Sequence, residues 1–400
     1  MTLTASQAEW LRVRSYLQEH RHALAVDAAA AYPAERRVAG TPLLAAPEWQ
    51  PAEPVPLHDV ELDFFPSAAP LPAPGGAALT ESALTESALT ESALPERPDG
   101  TRYRSYSDAL RDLAAPAVFE NRPTYRLTEA DLTKPRLAFT RGRYFDGVDT
   151  GEAAAHEYAA TRLASQDEHG QDEHGQDQHR AAGPPAWIAD PCDLTRRPAN
   201  LAITTLTLRF DAATGRASFL LHWRDPAKVG HAGGMYQVIP VGVFQPSGAA
   251  SWHEREDFSL WRCMLREFDE ELRGTPEEYG AGPVDYDSWP FARHMAAALD
   301  RGQIRVWCLG LGVDPLTYAT DLLTVAVIDS RVFDALFSLE PRGNDEGSVL
   351  AAREFAAHVI DRVVTGDPVQ AAGAAVLRLA WRHRDTLTVL PRRRVPAGLS

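Results

Sequence analysis

Three glutamates in the second half of the chain have a spacing that could bind a metal ion. Glu267, Glu270 and Glu271 are spaced i, i+3 and i+4, which places them on one side of an α-helix. Converging carboxylates repel one another, and a hard divalent cation relieves that repulsion because Mg2+ and Mn2+ prefer oxygen ligands. The spacing therefore indicates either a metal site or an acidic helix face in water, whose charge Arg262 and Arg266 would balance.

The helix that would carry these glutamates is predicted over residues 257–274. Apolar residues recur in it every three or four positions, which is typical of an amphipathic helix. Asp257 stands just before the first of them and suits an N-cap, and Gly274 suits a stop. The apolar residues are Phe258, Trp261, Leu265, Phe268 and Leu272. We expect this apolar face to pack on the core, with the three glutamates beside it.

The six residues from Arg266 to Glu271 resemble the second half of the Nudix box. They read Arg-Glu-Phe-Asp-Glu-Glu, and in that family the corresponding helix holds a metal ion on a diphosphate. The resemblance implies that Glu267, Glu270 and Glu271 bind Mg2+ or Mn2+. It also implies that Arg266 orients these glutamates and that Phe268 faces the core. The implied fold is the Nudix fold, a mixed sheet with helices on its faces.

The first half of the box is altered in this chain. The family has a glutamate eight residues before the arginine and a glycine six residues further back, where Phe258 and Trp252 stand. Glu256, Asp257 and Gly248 lie near those positions in a shifted register. Two functions stay open. One is a metal-dependent pyrophosphohydrolase of a substrate linked to a nucleoside diphosphate, and the other is a Nudix-like ligand sensor without catalytic activity, as in a transcriptional regulator.

A hydrolase also needs a general base that reaches the attacking water. The resemblance implies a glutamate of the box or an acid from a later loop, which here are Glu267 and Glu346. Glu346 has a second interpretation as a turn or N-cap residue, because a helix is predicted from Ser348. In either case, the expected substrate or ligand is a small molecule of the nucleotide type.

The composition indicates an acidic protein without a membrane segment. The 400 residues have a formal net charge of −15, which argues against nucleic acid as a partner because phosphate backbones attract basic surfaces. Cys192, Cys263 and Cys308 are widely spaced, so neither a disulfide framework nor a zinc site is predicted. The chain has no signal-peptide pattern and no apolar run of about 18 residues. We expect a cytoplasmic protein, and a homodimer stays open.

The chain divides into four predicted regions within an α+β fold. Residues 1–31 form a helix, and residues 32–100 form a Pro- and Ala-rich linker with repeats of Ala-Leu-Thr-Glu-Ser. Residues 101–186 form a small α+β region with a disordered insert of Gln-Asp-Glu-His-Gly repeats. Residues 187–400 form the Nudix-like domain, an α/β/α sandwich that ends in further helices.

Overall fold

The computed structural model describes residues 3–67, 92–116, 119–169, 188, 190–225, 233–276, 282–337, 342–343 and 347–388. The helices are α1 (Ala5–Ala30), α2 (Tyr106–Ala114), α3 (Tyr144–Gly147), α4 (Ala153–His169), α5 (Ser251–Glu256), α6 (Leu260–Arg273), α7 (Pro290–Asp300), α8 (Ser330–Leu336), α9 (Ala357–Gly366), α10 (Ala371–Arg382) and α11 (Arg384–Thr388). In the part of the chain that the structure describes, no helix has the length and apolar character needed to cross a membrane.

The strands complete an α+β fold, which confirms the predicted class. They are β1 (Val55–Pro56), β2 (Glu61–Phe65), β3 (Pro123–Asp131), β4 (Arg136–Arg143), β5 (Leu201–Asp211), β6 (Arg216–Phe219), β7 (Leu221–Arg224), β8 (Tyr236–Val238), β9 (Val241–Val243), β10 (Ile304–Val313), β11 (Thr320–Asp329), β12 (Arg342–Gly343), β13 (Gly347–Val349) and β14 (Arg353–Glu354). They form sheets of seven, four and three strands.

The seven-stranded sheet is mixed and carries the main core. Its order is β1-β10-β11-β5-β6-β14, and β9 pairs with the first half of β5. Strands β11 and β5 are parallel, and the other pairings in this sheet are antiparallel. Nearly every residue of β11 is buried, as expected for a central strand that is covered on both faces. Helix α6 follows β9 in the chain and packs on β9 and β5.

The two smaller sheets are separate from the seven-stranded sheet. The four-stranded sheet has the order β12-β13-β7-β8, and the three-stranded sheet has the order β2-β4-β3. In the three-stranded sheet, β2 is parallel to β4, from Glu61 opposite Arg136 to Phe65 opposite Thr140. The predicted α+β region therefore contains an antiparallel pair, β3 and β4, that gains a third strand from earlier in the chain.

Residues 32–67 lie in the predicted linker, but the structure gives them fixed places in the fold. Strand β1 pairs with β10 at Cys308 and Trp307, and Leu43 and Trp49 are buried in the main core. The difference arises because a few large apolar side chains are enough to anchor a segment whose average composition is typical of a linker. Except for its last residue, Ser92, the run of Ala-Leu-Thr-Glu-Ser repeats lies outside the described residues.

Helix α1 is the predicted N-terminal helix, and buried charges join it to the rest of the fold. It begins after Thr4, which forms a capping box with Gln7. Arg14 and Arg21 on α1 contact the carboxylate of Glu152 at 2.6 and 2.8 Å, with all three side chains buried. Glu152 ends the π-helical turn Val148–Glu152 that precedes α4. The helix is therefore part of the packed fold.

Asp149, in the same π-helical turn, holds the start of α2. Its carboxylate accepts hydrogen bonds from Ser107 N at 2.6 Å and from Ser107 Oγ at 3.1 Å. Burial raises the pKa of Asp149 from 3.8 to about 6, although the bonds from Ser107 act in the opposite direction. The folded chain therefore binds this proton more tightly than the unfolded chain does.

We expect Asp149→Asn to remove a pH dependence of stability. The proton on Asp149 favours the folded state at about pH 4, and the favourable contribution is lost as the pH rises through about 6, which corresponds to at most about 3 kcal/mol. Relative to the variant, the wild type should therefore lose stability between about pH 4 and pH 7. Urea unfolding of both proteins across this range measures the effect, and a difference that stays constant with pH would contradict it.

Candidate functional site

Helix α6 carries the predicted acidic cluster. It begins after Ser259, whose side chain accepts a hydrogen bond from Arg262 N, and it ends at Gly274 in the left-handed conformation. Gly274 is the predicted stop, but the predicted N-cap was wrong by two residues. Asp257 lies instead in the turn between α5 and α6, where its carboxylate is used for buried contacts and cannot cap the helix.

Glu267 and Glu271 lie against the short strand β9. The carboxylate of Glu271 accepts a hydrogen bond from Val241 N at 3.2 Å, and the residue is 7% exposed. Glu267 lies over Gly242, where a Cβ atom would be 1.9 Å from Cδ and 2.0 Å from Oε1 of the glutamate. Only glycine allows this approach. One face of α6 thus brings two carboxylates, one helical turn apart, to two consecutive residues of one strand.

Glu270 is half-buried on α6, one position before Glu271. Within the described ranges, no group of three or more His, Cys, Asp or Glu side chains is arranged to hold a metal ion. Mg2+ is commonly bound by one or two carboxylates, with waters and substrate phosphates as its remaining ligands. The pair formed by Glu267 and Glu271 has the donor chemistry of such an open site, and Glu270, on the same helix, is the predicted third carboxylate.

Arg266 is buried and fastens α6 to the chain segments around it. Its Nη2 donates a hydrogen bond to Gln245 O at 2.7 Å, two residues beyond the end of β9. Its Nη1 donates to the hydroxyl of Tyr286 at 2.5 Å and lies 3.3 Å from Asp257 Oδ1. These bonds fix the position of α6 relative to β9. Arg266 therefore affects the position of the glutamates that follow it without contacting them through these bonds.

Asp257 is the anionic centre of this buried network. Its Oδ2 accepts hydrogen bonds from Ser247 N at 2.8 Å and Ser247 Oγ at 2.6 Å, and its Oδ1 accepts from the hydroxyl of Tyr286 at 2.8 Å. Ser247 Oγ is also 2.9 Å from His253 Nδ1. Burial by itself would raise the pKa of Asp257, but the charge of Arg266 and the hydrogen bonds from Ser247 and Tyr286 lower it.

The register shift in the sequence has a structural basis. Phe258 stands where the family has its glutamate, and its ring packs with Phe64, Tyr125 and Phe244 at centroid distances of 5.0 to 5.6 Å. The acid that pairs with Arg266 comes one residue earlier, at position 257. Arg266 therefore has an acidic partner at position 257, and Phe258 packs in the core.

Three residues of the site were missed in the sequence. Gly242 lies inside an apolar run, and a glycine in a strand often marks a close backbone approach, so a signal for it was present. Tyr286 and Ser247 gave no signal, because their contacts with Asp257 and Arg266 depend on how distant segments fold together.

Glu346, the second predicted general base, lies outside the described residues. The start of the helix predicted from Ser348 is wrong, since residues 347–349 form β13 and the helix, α9, begins only at Ala357. Val349 is paired with His222 of β7 and is buried. Pairing with another strand has overridden the local helical pattern here.

No family model matches the chain, and no curated protein matches it. Among solved structures, the chain is similar to a NUDIX hydrolase from Alicyclobacillus acidocaldarius. The sequence identity is 18%, the match covers 48% of this chain and 95% of that chain, and the TM-score is 0.28. Likeness at that level does not define a family, so the contacts of α6 and β9 are the basis for assigning a function.

Proposed function

We propose that the protein is a metal-dependent hydrolase of the Nudix type, acting on a nucleoside diphosphate linked to another group. The observation that supports this proposal is the position of Glu267 and Glu271, which one helix brings to consecutive residues of β9. The same helix carries the sequence Arg-Glu-Phe-Asp-Glu-Glu, in which Glu270 supplies a third carboxylate. The proposed metal ligands are therefore Glu267, Glu270 and Glu271.

The carboxylates would bind Mg2+ or Mn2+ in their ionised form. The hydrogen bond from Val241 N to Glu271 favours that form, because a donor next to a carboxylate stabilises its negative charge. A divalent cation at this place would supply charge neutralisation for the diphosphate and would acidify a bound water. Glu267 is the proposed general base, which takes the proton of the attacking water on its carboxylate. Arg266 contributes by fixing α6 through Gln245 and Asp257.

A second function, ligand sensing without catalysis, is supported by the same close contacts. Glu271 already has a donor in Val241 N, and Glu267 fills the space above Gly242. In a sensor, these contacts would brace α6 against the sheet, and a bound nucleotide would not be hydrolysed. The two functions differ in one measurable respect, because only the hydrolase needs the charge of the carboxylates for turnover.

A panel of nucleoside diphosphate derivatives assayed with Mn2+ tests the proposed function. We expect the wild type to hydrolyse at least one compound. Glu271→Gln should lower that rate by at least about 100-fold, because it removes a ligand charge with little change of shape. Glu53→Gln is the control, since it removes a carboxylate that is 78% exposed, and it should retain the wild-type rate. Equal turnover in the wild type and Glu271→Gln would contradict the hydrolase.

A further inference from the structure

Tyr286 connects α6 to the segment of residues 282–289 that leads into α7. Most of this segment is exposed, whereas Tyr286 is half-buried. Its hydroxyl accepts a hydrogen bond from Arg266 Nη1 at 2.5 Å and donates one to Asp257 Oδ1 at 2.8 Å. Its ring also lies under the guanidinium of Arg262, 4.7 Å from its centre. One side chain therefore contacts both partners of a buried ion pair and a second arginine of α6.

The hydroxyl of Tyr286 forms a hydrogen bond to each charge that is shorter than the direct contact between the two charges. The side chains of Arg266 and Asp257 are only 4% and 1% exposed, and their direct contact is 3.3 Å. That distance is longer than the approximately 2.7–2.9 Å of a strong charge-assisted hydrogen bond. The two bonds through Tyr286 are shorter, so the hydroxyl completes the hydrogen bonding of charges that have almost no access to water.

We propose that Tyr286 is a positioning residue for the metal site on α6. By holding Arg266 and Asp257 together, it keeps α6 in the orientation at which Glu267 and Glu271 meet β9. This inference rests on the proposed function. The hydrogen bonds of Tyr286 go to Arg266 and Asp257. Tyr286 therefore acts on the glutamates through Arg266, which directly precedes Glu267 in the helix.

The contacts at β9 leave little room for movement of the helix. Glu267 lies directly over Gly242, and Glu271 accepts a hydrogen bond of 3.2 Å from Val241 N, the preceding strand residue. Arg266 anchors the helix to Gln245 O, on the same chain segment as β9. Because these contacts are close, a small shift is enough to break them. Losing the hydroxyl of Tyr286 should allow Arg266 to shift and should thereby misplace the carboxylates of both glutamates.

The chain offers a matched control in a second arrangement of the same three residue types. The hydroxyl of Tyr158 donates to Asp27 Oδ2 at 2.7 Å and accepts from Arg162 Nη2 at 3.1 Å, and Arg162 contacts Asp27 at 2.6 Å. This arrangement joins α1 to α4 and has no part in the contacts of α6. Removing the Tyr158 hydroxyl breaks the same kinds of hydrogen bond, at a more exposed ion pair, without changing the proposed site.

The experiment measures Mn2+ affinity from the electron paramagnetic resonance signal of the free ion. The wild type, Tyr286→Phe and Tyr158→Phe are compared, and the melting temperature of each is recorded without metal. We expect Tyr286→Phe to bind Mn2+ at least about 10-fold more weakly, which is the usual effect of losing a supporting hydrogen bond near a metal. Tyr158→Phe should bind as the wild type does.

The outcomes separate the two proposals. Equal affinity in the wild type and Tyr286→Phe, or an equal loss in Tyr158→Phe, would overturn the role of Tyr286 and leave the metal site intact. A wild type that binds no Mn2+ would remove the metal site and this inference together. If Tyr286→Phe does not fold, Ser247→Ala takes its place, because it removes one donor to Asp257. A folded Ser247→Ala with unchanged affinity would overturn the inference.

Discussion

Gly242→Ala is expected to abolish metal binding at α6. The new Cβ atom would lie 1.9 Å from Cδ of Glu267, which no packed structure tolerates, so the carboxylate must leave its place over β9. We expect Mn2+ affinity to fall by about 100-fold or more. The atoms that must move are at the end of a flexible side chain, so the rearrangement should cost less than about 1 kcal/mol of unfolding free energy. Calorimetric titration with Mn2+ and urea unfolding measure the two effects.

Two further variants show whether the clash with Glu267 is the cause. Gly366→Ala makes the same chemical change at the end of α9, where a Cβ would meet nothing within 4 Å, and it should bind Mn2+ as the wild type does. Adding Glu267→Ala to Gly242→Ala removes the crowded side chain, and it should change stability little and should not restore metal binding, because a proposed ligand is then missing. Wild-type Mn2+ affinity in Gly242→Ala would show that the close approach at β9 has no part in the site.

Asp257→Ala is expected to destabilise the fold by about 3–5 kcal/mol, the usual cost of leaving one charge of a buried pair without its partner. The change strands Arg266 in the interior and takes the acceptor from Ser247 and Tyr286. Urea unfolding at neutral pH measures the loss. Because the pKa of Asp257 is lowered, its contribution is fully present above about pH 4 and is lost as the pH falls further. The difference between wild type and variant should therefore shrink in acid.

The control for this prediction is an ion pair in water. Glu9 contacts Arg12 on α1 with both side chains about half exposed, so Glu9→Ala should cost less than about 1 kcal/mol. The double variant Asp257→Ala, Arg266→Met should recover part of the loss, since it removes the stranded charge. If Asp257→Ala were no more destabilising than Glu9→Ala, the buried network would not be what holds α6 in place.

The sequence predicted the parts of the site that depend on local pattern. The apolar period and Gly274 placed α6 and its end, and the helical spacing put Glu267 and Glu271 on one face, where both meet β9. The N-cap was wrong because Asp257 and Ser259 are both good capping residues, and only the buried network around Asp257 decides between them. Local sequence rules contain no information about such long-range competition.

The parts that could not be predicted depend on contacts between distant segments. Tyr286 meets Asp257 across 29 positions, and β1 reaches β10 from residues 55–56 in a Pro-rich stretch. Val349 joins β7 because a partner strand is available, although the surrounding sequence has a helical pattern. In each case the contact joins distant segments and forms only in the folded chain, so the local sequence pattern does not reveal it.

A crystal structure of the protein with Mn2+, with anomalous diffraction collected at the manganese edge, tests the proposed metal site most directly. We predict one peak beside Val241 and Gly242, about 2.0–2.3 Å from carboxylate oxygens of Glu267 and Glu271. A structure at saturating Mn2+ in which both carboxylates face β9, with no anomalous peak beside them, would contradict the proposal.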